Sequence, residues 1–136
     1  MNDRTAFQEL RQFLFDNVAT YDELETLLLL QRQPALGWEA TAAAQALGFP
    51  VEQCEAALEN LATHGLLVLG GDPVAFRYAP ASRELAEAAE QLQRAYLKDR
   101  FAIVQLMTTN AMDRVRAAAL DRLGGALRLR DSKKPR

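Results

Sequence analysis

The sequence predicts a mainly α-helical chain with one small β-hairpin, an extra helix in front and a long helical stretch behind. Three observations predict it. Apolar residues recur at helical spacing along most of the chain. Two β-rich runs, Leu66–Leu69 and Val74–Tyr78, flank Gly70-Gly71-Asp72-Pro73, a strong turn signal. The chain has 136 residues, of which 49% are apolar and 25% charged, enough to bury a core in the manner of ordinary globular domains.

The elements follow in order. Over residues 5–17, Phe7, Leu10 and Leu14 fall at helical spacing beside Phe13, and Thr5 with Gln8 offers a capping box. Thr20 and Glu23 repeat that start signal. The second helix runs to about Gln33 and stops before Pro34, because proline disfavours helical geometry in its predecessor. Leu24, Leu27, Leu28 and one of Leu29 or Leu30 supply core. Trp38 follows a loop containing Pro34 and Gly37 and can pair as a minimal strand. A short alanine-rich helix, Ala40–Leu47, ends at Gly48. Pro50 suits the first turn of the next helix, where its missing N–H costs nothing. Val51, Cys54, Leu58 and Leu61 make one buried stripe, and Gly65 is placed for a left-handed stop. After the hairpin, Pro80 closes the sheet and Ser82 caps a long helix from about Arg83 to Thr109. A break is expected at Asn110, then a short helix over 112–123 ended by Gly124-Gly125, then a mobile basic tail.

Three helices and a hairpin, the second and third helices joined by a tight turn, resemble the winged helix-turn-helix superfamily. The resemblance covers Tyr21 to Pro80. It rests on Trp38, Ala44, Leu47-Gly48, Val51, Leu58, Leu61, Gly65-Leu66, the Gly70-Gly71 turn and Tyr78-Ala79-Pro80. The long C-terminal helix is similar to that of dimeric bacterial transcriptional regulators of this superfamily. The expected organisation is an N-terminal packing or dimerisation helix over 1–19, the winged unit over 20–80, C-terminal dimerisation helices over 81–123 and a basic tail over 124–136.

The resemblance implies that the helix of residues 50–64 enters the major groove while the hairpin touches phosphates. Its residues depart from that pattern. The exposed side is expected to carry Glu52, Glu55 and Glu59, with no Lys or Arg. Carboxylates oppose binding to a phosphate lattice, whose neutralisation supplies most of the affinity. Gln53 and Asn60 could read adenine, and with Thr63 and the hairpin's Arg77 they are the candidate DNA contacts of the winged unit. The expected role of Glu52, Glu55 and Glu59 is a partner-docking face. The plainer alternative is a solvated helix face, acidic near its N-terminus because the helix dipole favours that.

Charge is distributed unevenly. Residues 1–111 hold 8 Lys+Arg against 15 Asp+Glu, whereas residues 112–136 hold 8 against 3. Arg128, Arg130, Lys133 and Lys134 near the end are therefore the candidate phosphate contacts outside the winged unit, or a contact for an acidic partner, or a solubilising tail. The long helix is apolar on two sides. Leu85, Ala89, Leu92, Tyr96, Ile103 and Met107 form one stripe, interrupted near Asp99-Arg100, and Leu97, Phe101 and Val104 a second. Two apolar faces need two partners. The expected assembly is a homodimer joined through Phe7, Leu10, Leu14, Leu92, Tyr96, Phe101, Ile103 and Val104. The alternative is a monomer in which residues 5–17 and 112–123 cover both stripes.

No catalytic, cofactor-binding or metal-binding motif is legible. The sole histidine, His64, sits in a last helical turn without partners for catalysis or a metal, and Cys54 lies on a buried stripe, where packing outweighs a redox role. No cofactor and no enzyme activity are expected. No apolar run approaches a membrane span and no secretory signal is read, so a cytoplasmic protein is expected. The expected function is a small transcription-associated regulator working largely through protein contacts, with at most weak phosphate-directed DNA binding. The alternatives are a conventional sequence-specific repressor or activator, and a structural adaptor that never meets DNA.

Overall fold

The computed structural model describes residues 3–132, with side chains described from 4 to 124. Six helices and two strands follow in the order α1 (Asp3–Asn17), α2 (Tyr21–Arg32), α3 (Ala40–Leu47), α4 (Val51–Thr63), β1 (Leu67–Gly70), β2 (Ala75–Tyr78), α5 (Arg83–Lys98) and α6 (Arg100–Ser132). α2, α3 and α4 pack together, and the antiparallel β1–β2 hairpin follows α4 as a wing. This is the winged helix-turn-helix arrangement.

Local chemistry sets most boundaries. Thr20 Oγ1 accepts from the Glu23 N–H at 3.1 Å and starts α2, while the Glu23 carboxylate returns to the Ala19 N–H at 3.1 Å. Gly48 (φ 74°) and Gly65 (φ 81°) close α3 and the turn after α4 in the left-handed region. Ser82 caps α5 by accepting from the Leu85 N–H. Trp38 exchanges both backbone bonds with Phe76, at 2.8 and 2.9 Å, adding a one-residue third strand against β2. Pro50 is the N-cap of α4 itself, one position before the first helical turn.

One core joins every helix. Leu14 and Val18 of the N-terminal segment, Leu24, Leu27 and Leu30 of α2, Leu58 and Leu61 of α4, Leu92 of α5 and Ile103 of α6 are buried within it. Leu58→Ala removes a fully buried side chain from this core and should cost about 2–5 kcal/mol in urea unfolding.

Four expectations are corrected. Helix α1 already includes Asp3, so Thr5 lies within it and no capping box forms there. Val51 is 39% exposed, because it lies at the edge of a stripe centred on Cys54, Ala57, Leu58 and Leu61. The long helix breaks at Asp99 and runs unbroken through Asn110. Asp99 leaves helical geometry, and its Oδ1 accepts from the Ala102 N–H at 3.1 Å, restarting the chain as α6. The Asn110 amide bonds Arg11 of α1 and so does not compete for its own backbone. Finally, α6 passes through Gly124-Gly125 to Ser132. Good helix formers flank the pair on both sides, and about 1 kcal/mol per glycine is too little to end so long a helix. The expected mobile tail is therefore helical as far as Ser132.

Candidate docking and nucleic-acid interface

The surface that a winged helix would turn to DNA is α4 with the wing. On α4, Glu52, Ala56, Glu59 and Thr63 succeed one another at spacings of four, three and four along the outward side, and Glu55 lies beside them. All five are exposed. Between Arg32 and Arg77 the chain holds no Lys or Arg, against Glu39, Glu52, Glu55, Glu59 and Asp72. The formal charges on α4 are therefore all negative.

The candidate base readers divide. Gln53 is exposed. The Asn60 side chain donates through Nδ2 to Glu23 Oε2 at 3.4 Å, towards the start of α2, and its backbone carbonyl faces His64 Nδ1 at 2.8 Å. Thr63 turns its hydroxyl back onto Glu59 O at 2.9 Å. Two of the three are engaged within the subunit.

Arg77 is also held. Its Nη1 donates to Gly70 O at 3.2 Å, across the hairpin. A Cβ placed on Gly37 would lie 2.9 Å from Arg77 Nη2, and one on Gly71 would lie 2.8 Å from Nη1. Two glycines thus make room for a guanidinium folded onto the wing. The exposed wing residues include the apolar Val68, Leu69 and Val74 and, at the tip, the acidic Asp72. The cation is legible in the sequence but its cradle is not, because Gly37 lies forty residues upstream.

At the other end of the molecule, Arg114 has a role that the sequence did not show. Nη2 donates to the carbonyls of Leu14 (3.2 Å) and Phe15, Nη1 approaches Ala19 O at 3.4 Å, and the guanidinium lies 4.7 Å from the Phe15 ring centroid. It caps the end of α1, satisfying carbonyls that a helix terminus leaves orphaned. Arg11 bridges Asp113 at 2.6 Å beside it. Arg114→Ala should lower stability by about 1.5–3 kcal/mol, the usual loss for charge-assisted bonds to backbone, measured by urea unfolding. The helix carries Arg128 and Arg130 near its end, with side chains beyond those described, and Lys133 and Lys134 lie outside the described residues.

The expected dimerisation residues fall into two groups. Leu10, Leu14, Leu92 and Ile103 are buried in the subunit's own core and offer no surface to a second copy. Tyr96 is half-buried, its hydroxyl donating to Glu25 Oε1 at 2.8 Å. Phe7 and Phe101 are exposed and Val104 half-buried. On α6, Ile103, Leu106, Met107 and Asn110 face the core, whereas Phe101, Val104, Met112, Val115, Ala119 and Leu123 lie on the opposite side. Leu97 and Phe101 are 79% and 69% exposed, and every residue from Val115 to Leu123 is exposed.

Cys54 is fully buried and burial pushes its thiol pKa up, so it packs as a small apolar residue. Among the described residues, no group of three or more His, Cys, Asp or Glu could hold a metal ion, and no helix is long and apolar enough to cross a membrane.

Two solved structures are similar to this chain. A MarR family protein of Mycobacterium tuberculosis shares 20% identity with this chain at a TM-score of 0.49, over 89% of this chain and 86% of that one. A transcriptional regulator from Thermotoga maritima shares 16% at 0.47, over 98% and 91%. No family model matches the chain, and no curated protein is similar to it. Neither structural likeness bears on what this chain binds.

Proposed function

We propose that this chain is a small winged-helix, transcription-associated regulator that acts as a homodimer and works mainly through protein contacts made by the acidic face of α4. The observation that carries the reading is that face: Glu52, Glu55 and Glu59 stand exposed where a groove reader needs neutral or basic donors. The wing supports it, with an arginine folded onto its own backbone and exposed Val68, Leu69, Val74 and Asp72 in place of cations. DNA contact, where it occurs, falls to the basic end of α6 and is phosphate-directed.

The dimer rests on α6. From Val115 to Leu123, α6 is exposed all round and lacks packing within the subunit, and isolated helices are marginal in water. A second copy laid along the Phe101–Val115–Leu123 side supplies it. Among the expected dimerisation residues, Phe7, Phe101 and Val104 keep that role.

The test is charge reversal. Proteins that copurify with the parent chain should be lost from Glu55→Lys and Glu59→Lys, and retained by Arg77→Ala. Reversal of both glutamates that left every partner interaction intact would remove the docking face from the account.

A further inference from the structure

Two bodies share the single core. In one, α6 is stapled to α1: Arg11 bridges Asp113 at 2.6 Å, Asn110 Nδ2 donates to Arg11 O at 3.1 Å, and Arg114 caps the end of α1. In the other, α2 packs on α3, α4 and the wing, and Gln31 Nε2 donates to Ala89 O at 2.8 Å, joining it inside the core to α5, which itself packs on α1 and α6. Side chains from both bodies converge at the break between α5 and α6.

Asp99 is the joint. Its N–H completes α5 by donating to Ala95 O at 2.8 Å, and its carboxylate starts α6. A single non-helical residue leaves two soft dihedrals to set the direction of everything after it. Tyr96, before the joint, donates to Glu25 Oε1 of α2 at 2.8 Å. Arg100, after the joint, donates to the Tyr21 hydroxyl of α2 at 2.7 Å, lies 3.8 Å from Glu25 Oε1, and stands 5.8 Å from the Tyr96 ring centroid.

We propose that Tyr21, Glu25, Tyr96 and Arg100 form a latch that fixes the α5–α6 joint and so sets the position of the α1–α6 pair relative to α4. The inference concerns one subunit and stands whether or not the chain dimerises or touches DNA. Geometry and exposure both favour adjustment over stability. Arg100 is largely exposed, and exposed pairs add little to folding free energy. Its four members nonetheless come from three helices on both sides of a one-residue joint, where a small change in angle is carried along a helix about 50 Å long. The Tyr96 hydroxyl stays a donor at neutral pH: burial first, then Glu25, push its pKa up to about 12. A partner or ligand that competes for Arg100 or Glu25 would open the latch by the shear of packed helices.

Spin-label distance measurement tests this. Labels go on Ala56→Cys of α4 and Thr109→Cys of α6, both exposed, while buried Cys54 stays out of reach. Labelled chains are diluted into excess unlabelled chain so that distances are intramolecular. The parent should give one narrow distribution. Arg100→Ala, Glu25→Gln and Tyr96→Phe should each displace or broaden it, and Arg100→Ala combined with Glu25→Gln should go no further than either alone, as one unit requires. Arg116→Ala, which removes an ion pair within α6 alone, should leave it in place. Tyr96→Phe removes one hydroxyl and keeps the ring, so loss of folding does not decide the outcome. Distributions for Arg100→Ala and Tyr96→Phe that superimpose on the parent's would overturn the latch, as would an equal shift in Arg116→Ala.

Discussion

The doubly substituted chain Phe101→Glu, Val115→Glu should sediment as a monomer at concentrations where the parent is a dimer. Both residues stand on the outward side of α6, 69% and 68% exposed in the subunit, so neither change disturbs the core. In the proposed dimer each would place a carboxylate in an apolar contact without a partner, at a cost of several kcal/mol. Two such costs weaken association by about 10³-fold or more. A second readout follows from the same cause. The Val115–Leu123 stretch of α6 is exposed within the subunit, so helix content measured by far-ultraviolet circular dichroism should fall on dissociation. A parent chain that stays monomeric at high micromolar concentration would defeat this assembly outright.

The second large effect is a gain. Glu55→Lys combined with Glu59→Lys should raise non-specific affinity for duplex DNA by at least about tenfold at low salt. It should also steepen the slope of log K against log salt by about 0.9 for each new phosphate contact. Both side chains are exposed, so the fold is left alone. The physical point is that the winged shape is already suited to a groove and the carboxylates are what oppose entry. If the double reversal bound DNA no better than the parent, α4 would not be presented to DNA by this fold at all.

Much of the fold was legible because its signals are local. Thr20 with Glu23, Gly48, Gly65, Ser82 and the Gly70–Pro73 turn each set a boundary through chemistry within a few residues. Trp38 pairs with Phe76 as its loop position suggested. What was misread depends on distant partners. Asn110 looks like a breaker until Arg11, ninety-nine positions away, takes its amide. Leu92 and Ile103 looked as available to a second subunit as Phe101, since periodicity shows two stripes and only packing decides which one turns inward. The acidic character of α4 was plain in the sequence, as was the absence of nearby cations. The engagement of Asn60 by Glu23 and the glycine cradle around Arg77 were not, because each joins residues from separate elements.

The most direct test of the central claim is fluorescence anisotropy of the intact chain against pooled fragments of its source genome, across a salt series, beside Gln53→Ala. The account predicts weak binding without preference among fragments, lost at moderate salt and unchanged by Gln53→Ala. Tight binding that selects one fragment, persists as salt rises and disappears in Gln53→Ala would contradict it, and would make α4 a reader of bases despite its glutamates.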